Sequence, residues 1–111
     1  MIIKFKITRG ELTELLGAYS KYIPLYVPDS AHEELLFEHL IYDYYFFLRL
    51  YKTDKKKYTI TLTAPAALAF YQAWQGINLC PKTDIFASVI INKVIGIIHV
   101  EHVNLTLKIA V

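Results

Sequence analysis

The chain has 111 residues, of which 55% are hydrophobic and 20% charged, with four Gly, four Pro and a single Cys. Those proportions exclude a disordered chain, a collagen-like fibre and a disulfide-stapled scaffold, and they suit one α+β domain spanning residues 1–111. The net charge of +2 is too small to imply nucleic acid or an anionic lipid surface by itself.

The elements follow from periodicity and capping. Ile3, Phe5 and Ile7 alternate with Lys4, Lys6 and Thr8, which predicts a half-buried strand. Thr8-Arg9-Gly10-Glu11 reads as a capping box opening a helix whose apolar face carries Leu12, Leu15, Leu16 and Tyr19. That helix should stop before Pro24, and Tyr22–Pro28 forms an aromatic, proline-bounded loop. Ser30-Ala31-His32-Glu33 is a second capping box, starting a long helix to about Lys52. On that helix Glu34, Glu38, Tyr42, Tyr45, Arg49 and Lys52 share an exposed stripe, and most of the remaining circumference is apolar. Thr53–Lys57 is a polar turn, and Tyr58–Thr63 alternates as a second strand. Thr63 caps a third helix with Pro65 in its first turn and Gly76 as its stop.

A loop over Asn78–Lys82 leads to a last helix from about Asp84 to Ile98, and Val103–Val111 alternates as a third strand. The fold expected is a two-layer sandwich: a three-stranded, mainly antiparallel sheet with about four helices on one face, in the order β-α-α-β-α-α-β. The open sheet face would present Lys4, Lys6, Lys108 and several Thr. The junctions at Thr8 and Thr63 resemble one another, which suggests two copies of a β-α-α unit.

Charge and cysteine content narrow the setting. Eight of the ten acids precede residue 56, so the second half is mildly basic. Cys80 stands alone, so no intrachain disulfide forms and a reducing, cytoplasmic setting is expected. The first residues lack the apolar run of a secretory signal, and Ile2 stands where N-myristoylation requires Gly. Ile85–Val100 is apolar, but it is short of the roughly 20 residues of a span and carries Lys93 at its centre. A buried soluble helix is the better reading, with no membrane span.

Few constellations carry chemistry. His39 and Asp43 are neighbours at i and i+4, surrounded by Leu36, Leu40 and Phe47. Burying Asp43 requires a partner, and His39 is the nearest candidate. The pair is also a weak catalytic candidate, and with His99 and His102 a weak set of metal ligands. Cys80 and the serines lie in no nucleophile motif, and the four glycines are scattered, so no phosphate loop and no cofactor is implied. For nucleic acid the candidates are Lys4, Lys6, Lys55, Lys56, Lys57 and Lys108, without the aromatic platform of an RNA-reading sheet. Ser88, Asn92 and Gly96 recur every four residues, a spacing that permits close helix approach inside a core or between copies. Tyr42, Tyr45 and Arg49 are residue types enriched at interfaces. The function expected is that of a small interaction protein, homodimeric or bound to a protein partner. A nucleic-acid accessory role is the alternative, and an enzyme or metal protein built on His39 and Asp43 comes third.

Overall fold

A computed structural model describes residues 2–110, and the side chains as far as His102. The elements are β1 (Ile2–Thr8), α1 (Arg9–Tyr22), a 3-10 turn (Ile23–Leu25), α2 (Ala31–Tyr51), β2 (Lys57–Thr63), α3 (Ala64–Gln75) and α4 (Ile85–Ala110). The architecture is α+β with four α-helices and a two-stranded antiparallel sheet among the described residues. Both strands alternate strictly. Ile3, Phe5, Ile7, Tyr58, Ile60 and Leu62 are buried, and the residues between them are exposed. The buried face packs on α1, α3 and α4, and the buried apolar side chains among the described residues form one cluster.

The third strand is the main correction. Val103–Ala110 belongs to α4, not to the sheet, and the expected three-stranded sandwich is not what forms. No Gly or Pro follows Gly96, so nothing in the chain stops the helix. Extending a helix adds one hydrogen bond for each residue fixed, whereas a strand must first find an edge. Lys108 therefore does not join Lys4 and Lys6 on the sheet; its side chain lies outside the described residues.

The strand pairing is symmetric about Phe5 and Ile60. In the register, Phe5 faces Ile60, Ile2 faces Thr63 and Thr8 faces Lys57. Phe5 and Ile60 are 55 residues apart, the same separation as the caps Thr8 and Thr63. That is the spacing of the expected repeat. The equivalent residues Tyr19 and Trp74 meet edge-on, with ring centroids 5.1 Å apart. Helix α4 packs on α1 as α2 packs on α3.

Each strand feeds its helix through a capping threonine. Thr8 Oγ1 accepts from the Glu11 amide at 3.1 Å and Glu11 Oε1 accepts from the Thr8 amide at 2.9 Å. Thr63 Oγ1 accepts from Ala66 at 3.4 Å without a reciprocal acid. Arg9 locks the first junction to the polar turn. Its Nη1 donates to the Tyr51 and Thr53 carbonyls at 3.0 and 3.2 Å and to the Tyr58 hydroxyl at 2.7 Å. Its guanidinium also lies 3.9 Å from the centre of the Tyr51 ring.

Because the first cap is reciprocal and short, Thr8→Ala is expected to cost about 1–2 kcal/mol and Thr63→Ala less. Urea denaturation of both variants measures the difference, and equal losses would contradict it.

Candidate functional site

Asp43 is buried, at 4% exposure, in the face of α2 that meets α1 and α3. Its partner is not His39. Tyr19 Oη from α1 donates to Asp43 Oδ2 at 3.2 Å, and Trp74 Nε1 from α3 donates to Tyr19 Oη at 3.4 Å. His39 is half-buried beside α3, in a groove with Glu38, Tyr42, Thr63 and Ala66. The i+4 spacing placed both residues on one side of α2, but the helix turn directs only Asp43 to Tyr19. Burial raises the Asp43 carboxyl to about 7, partly opposed by the Tyr19 hydrogen bond. Burial, then the Asp43 charge, drives the Tyr19 phenol well above its ordinary value, so it remains a donor.

Asp84, the residue before α4, is buried in the opposite circumstances. It accepts from the Tyr22 hydroxyl, from Lys21 Nζ at 3.0 and 3.1 Å and from the Cys80 amide at 2.7 Å. Those donors, Tyr22 foremost, hold its carboxyl below the usual range despite burial. The Cys80 thiol is lowered by the Thr83 hydroxyl, then by the Lys82 and Thr83 amides and by Lys21. A second ion pair, Lys93 to Glu11 at 3.3 Å, ties the middle of α4 to the start of α1.

The corresponding corner of the other half is open. By the internal symmetry Gly76 stands where Lys21 stands, and Ser30 where Asp84 stands, so no ion pair closes it. A cleft of about 730 Å3 lies there, between the loop after α1, the first turns of α2 and the end of α3. Tyr22, Leu36 and Ala73 are buried at its base, and Tyr26, Glu33 and Tyr71 line its sides. The Tyr26 ring is held by stacking on Phe37, with centroids 5.7 Å apart and planes 12° apart.

The outward faces of α2 and α4 carry apolar groups in water. On α2, Leu35, Tyr42 and Tyr45 are 57%, 62% and 58% exposed, and Arg49 is exposed beside them. On α4, Phe86, Val89 and Val100 are 72%, 63% and 56% exposed. Asn92 and Gly96 are exposed too, and a Cβ at Gly96 would meet nothing within 4 Å. Asn92 and Gly96 of the small-residue stripe thus face outward, with Ser88 half-buried. Phe86, Val89, Lys93, Gly96 and Val100 succeed one another at intervals of three and four residues, the spacing of a coiled-coil seam. That signal stood in the sequence, masked by the apolar character of the whole helix.

The other candidate sets do not assemble. Residues 99–102 are helical and His99 and His102 are exposed on α4, remote in sequence and element from His39 and Asp43. Among the described residues no three His, Cys, Asp or Glu side chains converge on a point that could hold a metal. Lys4, Lys6 and Lys57 lie on the open sheet face, while Lys55 and Lys56 project from the turn before β2. Window Ile85–His102 of α4 has the length and apolarity of a membrane span, with 28% of it buried against the rest of the chain. No family model matches the chain, and no curated protein and no solved structure matches it either.

The raised carboxyl of Asp43 fixes a sign. The folded state keeps its proton between the ordinary value of 3.8 and about 7, where the unfolded chain has released it. Stability from this group is therefore complete below pH 3.8 and lost as pH rises to about 7. The loss is on the order of 4 kcal/mol at most. Asp43→Asn should remove that pH dependence and be the more stable form at pH 8. Urea titrations of both proteins from pH 4 to 8 test this, and a variant less stable at pH 8 would refute it.

Proposed function

We propose that the protein is a non-catalytic assembly protein that self-associates, with the outward face of α4 as its seam. The observation that carries this reading is the row Phe86, Val89, Lys93, Gly96 and Val100, whose apolar members are more than half exposed. Large apolar side chains exposed in one row mark an interaction site. Its intervals of three and four residues suit another helix rather than a globular pocket. The open surface at Gly96 lets a second backbone approach, and the same spacing runs on in the sequence to Val103, Leu107 and Ala110. A second copy of α4 meets all of these requirements at once, and an interface built from one patch on both chains closes as a dimer. Lys93 in the row, paired to Glu11 of its own chain, sets the register as single polar residues do in such seams. The lone cysteine supports a reducing cytoplasm as the setting.

Light scattering during size-exclusion chromatography should give a mass near twice 12.9 kDa. Replacing Phe86 and Val89 together by Glu should weaken the dimer by about thirtyfold or more. Tyr45→Ala and Arg49→Ala should leave the mass unchanged. Dissociation by the latter pair would move the seam to α2, and a monomer at high concentration would end the reading.

A further inference from the structure

The open cleft beside Gly76 has a definite electrostatic character. Its walls come from two stretches of chain. They are residues 22–36, with Asp29, Glu33 and Glu34 and no Lys or Arg, and residues 71–78, with no charged residue. Among the lining residues Glu33 is the one acid, and neither Lys nor Arg is present. Tyr22, Tyr26 and Tyr71 supply aromatic rings, whose faces carry negative potential. Glu33 and the ring faces carry the same sign, and His32 is the other ionisable group of the lining besides the tyrosines. The Lys21 ammonium sits 5.2 Å from the centre of the Tyr22 ring. That ammonium is itself neutralised by Asp84 at 3.0 Å.

We infer that this cleft binds a small organic cation, an alkylated or quaternary ammonium carried on an apolar body. The cationic head is recognised by the tyrosine rings with Glu33 as counter-charge, as in aromatic cages. At about 730 Å3 the cleft exceeds what such a head fills, and Leu36 and Ile77 provide the surface for the apolar body. The site is preorganised in two respects. Stacking on Phe37 fixes the Tyr26 ring, and Glu33 Oε2 is anchored by the Asp29 amide. The Glu33 charge reaches the ring, because together with burial it raises the Tyr26 phenol. An anion is disfavoured on the same grounds. The site does not depend on self-association, since it lies between α2 and α3 and not on the face of α4.

The probes are choline and 3,3-dimethylbutan-1-ol, its uncharged carbon analogue, titrated into isotopically labelled protein and followed by NMR. Choline should shift the amides of residues 32–36 and 71–78 saturably. The uncharged analogue should bind about tenfold more weakly. Glu33→Gln keeps an oxygen for the Asp29 amide and should weaken choline by about three- to tenfold, and Tyr71→Leu similarly. Equal affinity for the two probes would overturn the inference by making the cleft merely apolar. So would the absence of saturable shifts at millimolar choline, or shifts confined to other residues. If Glu33→Gln lowers Tm, the comparison of the two probes on the unaltered protein decides alone.

Discussion

The pairing of β1 with β2 about Phe5 and Ile60 is the constraint on which the other contacts depend. Antiparallel pairing puts Thr8 and Thr63 at opposite ends of the sheet, so α1 and α3 start from opposite ends. They converge where Tyr19 meets Trp74. Sliding the register by one residue would turn Ile3, Phe5 and Ile7 to water, at roughly 1.5–3 kcal/mol for each side chain. The symmetric pairing would be lost as well, and with it the seats of α2 and α4. A two-stranded sheet alone is marginal in water; this one is held by the helices it positions.

Much of this was legible in the chain. The strict alternation of β1 and β2 and the capping threonines placed both strands and the starts of α1 and α3. Ser30 placed the start of α2, and the similarity of the two strand-to-helix junctions pointed to the repeat. The end of the chain was not legible, because alternating Val, Leu and Ile after His102 satisfy a strand by pattern and a helix by composition. What decided between them was the presence of an already formed helix with nothing to stop it. The partner of Asp43 was hidden for another reason. His39 is its neighbour along the helix, whereas Tyr19 is 24 residues away and becomes adjacent only when α1 and α2 pack. The cleft was equally invisible, since it arises from residues opposite one another in space, though the long stretch of chain free of Lys and Arg was a trace of its charge.

The two buried acids show how one fold holds carboxylates in contrary states. Asp84 has an ammonium, a phenol and an amide to donate to it, so ionisation is favoured despite burial. Asp43 has a single phenol, and desolvation prevails. The difference follows from position. Asp84 lies where a loop and a helix start expose backbone donors, while Asp43 lies mid-helix, where the amides are already committed to the helix. One half of the molecule is thus closed at its corner by charge, and the centre is filled by a network that stays neutral below about pH 7.

The open corner has a consequence for which substitutions the chain tolerates. Gly76 has φ −86° and lies in ordinary helical space, and a Cβ there would make only normal contacts, at 3.7 Å from the Ala73 carbonyl. The backbone therefore does not require glycine. At the matching positions a long side chain, Lys21, fills one corner and glycine leaves the other open. A hollow kept open in this way is one codon from being filled. Lineages that have no use for it should accumulate larger residues at this position, and those that use it should keep it small.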